Sequence, residues 1–139
     1  VNAFKEGCLE IGEKGKLLKL SMQRMLYAAK DEKDAKEKNK LAYEYYKRFD
    51  NVFTGPGKVK EGEIEPLPRK QSLQELTQNL LICPPSEMID KLSIYAEAGV
   101  DEIIISAGFG QSQNEMIDSM HRISEEVIPY FKKFNSKVA

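Results

Sequence analysis

The chain has 139 residues and a formal net charge of −1, with 31% charged and 41% hydrophobic residues. That size fits one domain with a modest core, and the balanced charge offers no electrostatic case for nucleic acid or an anionic membrane as a partner. No apolar run nears the roughly 20 residues of a bilayer span, no signal peptide opens the chain, and Cys8 and Cys83 form no C-x-x-C, so the expected compartment is a reducing cytoplasm, with no disulfide framework and no metal site.

In chain order, "NAFKEGCLEIGEKGK" reads as the end of a helix, with Phe4, Cys8, Leu9 and Ile11 on one stripe and Gly12 and Gly15 breaking it. The chain opens on Val1 rather than methionine, as a piece of a longer protein would. Residues 22–28 predict a strand. A helix follows, N-capped by Asp31, with acidic residues in its first turns and a narrow stripe of Ala35, Ala42, Tyr45, Tyr46 and Phe49. The rest of the helix is mostly charge of mixed sign, which reads as a solvated outer face, with a partner-binding charged helix as the alternative. Residues 50–78 carry glycines and prolines without a period and read as a long irregular insertion, ending in a short helix opened by the capping box Ser72 and Glu75.

From Asn79 the rhythm becomes regular. Residues 79–83 predict a short strand. Pro85 suits the first turn of a helix whose inner face is Met88, Ile89, Leu92, Tyr95 and Ala96, and Gly99 suits its left-handed C-cap. Val100 and Asp101 turn the chain into a strand at 101–106. Ile103, Ile104 and Ile105 are apolar on both faces of that strand, which predicts burial on both faces inside a parallel sheet covered by helices. The last helix is expected to bury Met116, Ile117, Met120, Ile123, Val127 and Phe131, with Pro129 kinking or ending it.

The corner Ser106-Ala107-Gly108-Phe109-Gly110-Gln111 lies where parallel folds bind ligands, at the carboxyl end of a strand. Its glycines admit close backbone approach, and the next helix start favours an anion. It fits neither G-x-G-x-x-G nor G-x-x-x-x-G-K-[ST], so a tight structural turn is the competing reading. His121 is the only histidine; it lies mid-helix next to the inner face at Met120 and reads as a satisfied or exposed structural histidine, and no Ser-His-Asp set for acyl transfer exists. Glu125 and Glu126 diverge on their helix. Arg69 and Lys70 lie in the insertion as candidates for an anionic ligand, or as solvated cations.

The run "PPSEMIDKLSIYAEAGVDEIIISAGFGQSQNEMIDSMHRISEEVIPYF", Pro84–Phe131, resembles the C-terminal end of the bacterial luciferase-like flavin monooxygenases. The resemblance rests on "KL…YAEAGVDE", the apolar strand, the Phe-Gly corner and the closing Glu125–Phe131. Upstream, "QRMLYAAKDEKDAKEKNKLAYEYY" is similar to that family's strand and acid-rich helix. Pro84 departs from the family, which has Ser or Thr before the helix-opening proline. The resemblance implies a (β/α)8 barrel of the TIM type, reduced FMN supplied by a flavin reductase, O2 as cosubstrate, a small organic substrate and a homo-oligomer. Such barrels need about 250 residues. Residues 1–139 are therefore expected to be the last three βα units of one barrel domain, completed by the rest of the barrel. Ser106, Gly108, Phe109 and Gly110 are the candidate flavin contacts, by location alone. Competing readings are a non-catalytic flavin- or protein-binding relative, a deazaflavin oxidoreductase and a small doubly wound domain.

Overall fold

The structure is a computed structural model that describes residues 1–132. Alternation along Ser21–Ala28 makes a strand (β1) whose odd residues Met25 and Tyr27 enter one core and whose even residues Leu26 and Ala28 enter another. Before it stand a helix at Asn2–Glu10 (α1) and a 3-10 turn at Gly12–Leu17. Gly12 takes φ +62°, and a Cβ on Gly15 would lie 2.0 Å from the Cys8 carbonyl oxygen, so both glycine breaks are required by geometry.

The Asp31 carboxylate accepts the Asp34 N–H at 2.8 Å and starts a helix at Glu32–Phe53 (α2). The helix reaches past the expected boundary, so the insertion is shorter than 50–78 and less irregular. It holds a small antiparallel ribbon, Val59–Lys60 (β2) with Glu63–Ile64 (β3), and a helix at Leu73–Asn79 (α3) opened by the Ser72–Glu75 capping box. Asn79 belongs to this helix, and the following strand is only Leu81–Cys83 (β4). Then come a helix at Pro85–Ala98 (α4), ended by Gly99 at φ +92°, and a strand at Glu102–Ser106 (β5). As its sequence implies, Pro84 gives α4 no side-chain cap.

The last helix runs Gln113–Arg122 (α5), passes through a π-turn at Ile123–Val127 and continues beyond Pro129. The Ile128 N–H bonds back to Ile123 O. This wider turn sits just before the proline, so Pro129 neither ends the helix nor loses a regular bond inside it. The inner face is Ser119, Ile123 and Val127, whereas Ile117 and Met120 are exposed.

The three main strands form a parallel sheet in the order β4-β1-β5. Met22 lies opposite Ile103, and Leu26 opposite Leu81. The chain steps from β1 to β4 on one side, then crosses back to β5 on the other. Two right-handed crossovers of opposite direction place their helices on opposite faces. Accordingly α2 and α3 cover Met25, Tyr27 and Ile82, while α4 and the last helix cover Leu26, Ala28 and Cys83. Serial barrel units would instead give β1-β4-β5 with every helix on one face.

Ile104 is 55% and Ile105 42% exposed, with Ile103 half-buried. Burial of this strand on both faces, expected from three apolar residues in a row, is not found. The reason is position: β5 is an edge strand, and the residues buried beneath α2 come from β1 and β4.

β5 pairs with β1 only over Ser21–Met25, so the carboxyl half of β1 has a bare edge. The last helix closes it. Ser119 Oγ accepts the Ala28 N–H at 2.8 Å, and Arg122 Nε donates to Ala28 O at 2.7 Å. Ala28 is fully buried and Ser119 3% exposed, so water cannot replace these bonds. Ser119→Ala is expected to orphan a buried N–H and cost about 1–3 kcal/mol of unfolding free energy in denaturant titrations; an unchanged midpoint and slope would show the edge is not closed this way.

Candidate functional site

The carboxyl ends of β1 and β5 meet at the point where the crossovers reverse direction, which is where open parallel sheets bind ligands. The corner Ser106–Gln111 forms one wall. Gly108 is open, with nothing near a notional Cβ, and Gly110 takes φ +108° with Leu41 beneath it. Phe109 is 2% exposed and packs edge-on against Tyr27 at 5.9 Å between ring centres. Its ring fills the core under α2 and presents no face to a ligand. Gln111 holds the corner shut: its Oε1 accepts the Phe109 N–H at 2.9 Å and its Nε2 donates to Ala107 O.

The start of α5 is likewise committed. Ser112 and Glu115 form a capping box in which the Glu115 carboxylate takes the Ser112 N–H at 2.9 Å. The same carboxylate lies 2.6 Å from Lys38 Nζ on α2, and Lys38 reaches Asp34 at 3.3 Å. Asp34 also accepts the Lys30 N–H at 3.1 Å and lies 3.4 Å from the Tyr27 hydroxyl. These four side chains tie α2 and α5 together across the end of β1. The hydrogen bond from Lys38, then those from Ser112, hold the Glu115 carboxyl down at about 2. Burial opposes charge on Lys38, but its bonds to Glu115 and Asp34 outweigh that and raise its pKa. Burial, then the Asp34 charge, raises that of Tyr27.

The anion place at the α5 start is thus filled by the protein's own carboxylate. With the Phe109 N–H also taken, the corner offers no preformed cradle for a flavin phosphate and no aromatic face for a flavin ring. Ser106, Gly108, Phe109 and Gly110 are brought together at the sheet end, but of these residues only Gly108, Gly110 and the half-buried Ser106 reach the surface. The residues reading alone missed were Tyr27, Asp34, Lys38 and Glu115. The Ser112-x-x-Glu115 pattern was a readable sign for one of them.

Elsewhere, His121, Glu125 and Glu126 are exposed. Arg69 is not solvated: its guanidinium lies 3.1 Å from Asp50 and 5.2 Å from the Tyr46 ring centre, while Lys70 is exposed. Among the described residues no cluster of His, Cys, Asp or Glu is placed to hold a metal, and no helix is long and apolar enough to cross a membrane. Burial pushes the Cys83 thiol up to about 12. No protein-family model matches the chain, and no curated protein matches it.

Two outcomes test this geometry. Lys38→Met leaves Asp34, whose side chain is 8% exposed, without its ion partner and is expected to cost about 3 kcal/mol, with Asp34→Asn in the same chain recovering part of the loss. Additive losses in that cycle would dissolve the pairing. For Glu115 the folded pKa lies below its ordinary 4.5, so its stabilisation is present above pH 4.5 and disappears as pH falls toward about 2. Glu115→Gln is expected to flatten the stability-versus-pH curve in that window alone; an unaltered curve would contradict the assignment.

Proposed function

We propose that the chain is the C-terminal part of an FMN-dependent monooxygenase, in which reduced FMN from a partner reductase and O2 serve the oxygenation of a small organic substrate. The observation that carries this reading is the Pro84–Phe131 run, from its helix start through the Phe-Gly corner to Glu125–Phe131. Parallel strands with a glycine corner at their carboxyl end support it. In the barrel form, strands outside these residues complete the cylinder. Flavin binding then falls to residues beyond this chain, since the corner holds no ready phosphate site. The role left to the chain is to shape the barrel mouth.

The strand order favours a second reading. An open doubly wound sheet needs no further strands to place its ligand crevice between β1 and β5, and the ligand would lie over Lys30 and Gly108.

The 139 residues alone are expected to give no oxygen-dependent product with reduced FMN, whereas the natural gene product that contains them does, read by substrate-dependent oxygen uptake. A gene product that works only with a deazaflavin, or that binds flavin without forming product, contradicts the proposal. A mononucleotide that shifts the amide resonances of Lys30 and Gly108 in the 139-residue chain supports the second reading.

A further inference from the structure

The carboxyl end of β1 holds a cation that the fold does not use up. Helix α5 descends from that end, and Arg122 stands a turn below Ser119. Ser119 Oγ takes the Ala28 N–H, while Arg122 Nε donates at 2.7 Å to Ala28 O, further along the strand and on the edge that faces β5. The Arg122 side chain therefore runs back past Ser119 toward the helix start, as helical side chains lean. Its guanidinium arrives at the sheet end, tied through Nε to a fully buried residue.

Only that one N–H is spent. Among the described residues no acceptor bonds to the two terminal amines, no carboxylate pairs with them, and they are not sealed from water. Closing the β1 edge requires a donor at Ala28 O and not a charge, so the charge of this half-buried guanidinium is surplus to the edge it mends. Asp34, Lys38 and Glu115 are close by, but they are bonded to one another and to backbone N–H groups. Lys30, two residues beyond Ala28, gives its backbone N–H to Asp34, and its exposed ammonium has no partner among the described residues. Two unspent cations thus stand at one end of β1, one preset as a planar fork and one a point charge on a flexible stem.

We infer that, in the open doubly wound form on which this site depends, Arg122 and Lys30 bind the phosphate of a phosphate-monoester ligand. With Nε engaged, the two terminal amines of the guanidinium take two oxygens of one phosphate side by side. Lys30 adds a second positive charge, and a phosphate monoester carries about two negative charges at neutral pH. A carboxylate carries one and leaves Lys30 unused. Gly108, with nothing near a notional Cβ, leaves room for the group that bears the phosphate.

The test is a nuclear magnetic resonance titration of the whole 139-residue chain at constant ionic strength, read at the Arg122 side-chain Nε–H and the Lys30 and Gly108 amides. Inorganic phosphate and adenosine 5′-monophosphate are expected to shift the Arg122 and Lys30 signals saturably, and acetate to shift neither. Arg122→Gln, which keeps a donor for Ala28 O, is expected to weaken the monophosphate about tenfold or more with the far-ultraviolet circular dichroism unchanged. Arg122→Lys, which keeps the charge and loses the fork, is expected to recover part of that loss. Ser119→Ala opens the same edge and touches neither cation, so it is expected to lower stability and leave the affinity as it was. Acetate acting as strongly as phosphate overturns the proposal, and so does a Ser119→Ala chain that loses as much affinity as Arg122→Gln. A monophosphate that still moves the Lys30 and Gly108 amides with undiminished affinity in Arg122→Gln overturns it and leaves the open crevice standing. An unsubstituted chain in which phosphate, the monophosphate and adenosine all leave those amides unmoved defeats both.

Discussion

The structure depends on β1 having a partner along both edges. A strand buried on both faces cannot leave backbone groups bare, because an unpaired buried N–H or C=O costs as much as a lost hydrogen bond. On one side β4 supplies the pairing for the carboxyl half. On the other, β5 supplies it for the amino half, and Ser119 and Arg122 of α5 finish it at Ala28. Helix α5 is therefore both cover and edge. Its capping box places Glu115 one turn before Ser119, so the residue that ties α5 to Lys38 and the residue that closes β1 share one helix.

That arrangement explains why the sheet end is occupied by the protein's own charges. Lys38 is drawn in from a helix that is otherwise a solvated outer face, and it is tolerated because Asp34 and Glu115 flank it. Phe109 turns inward against Tyr27 because Gly110 lets the chain reverse over Leu41. The corner has the composition of a ligand loop and the packing of a structural turn. Exposed Gly108 and Lys30, rather than the buried ring, are what it offers a partner.

Local chemistry was legible in the residues, and neighbour relations were not. Asp31, the Ser72–Glu75 box, Pro85 and Gly99 each mark an element end by their own hydrogen-bonding or backbone preference, and the structure puts the ends there. Strands at β1 and β5 followed from their apolar runs. Strand order did not, because side-chain periodicity tells which faces a strand has and not which strand lies beside it. The isoleucines of β5 were misread for the same reason: an apolar run implies double burial only where helices cover both faces. Asp34, Lys38 and Asn39 hid inside a charged helix, since the i,i+4 spacing of Asp34 and Lys38 serves a solvated pair as well as a buried one. Ile117 and Met120 fit an apolar stripe in the sequence but lie outside, because the last helix turns Ser119, Ile123 and Val127 inward.

The most direct measurement of the central claim is a set of backbone nuclear Overhauser contacts on the isotopically labelled chain. A central β1 predicts inter-strand contacts pairing Gln23 with Ile104 and Tyr27 with Ile82, and none between β4 and β5. Contacts between β4 and β5, with those between Gln23 and Ile104 missing, would contradict a central β1.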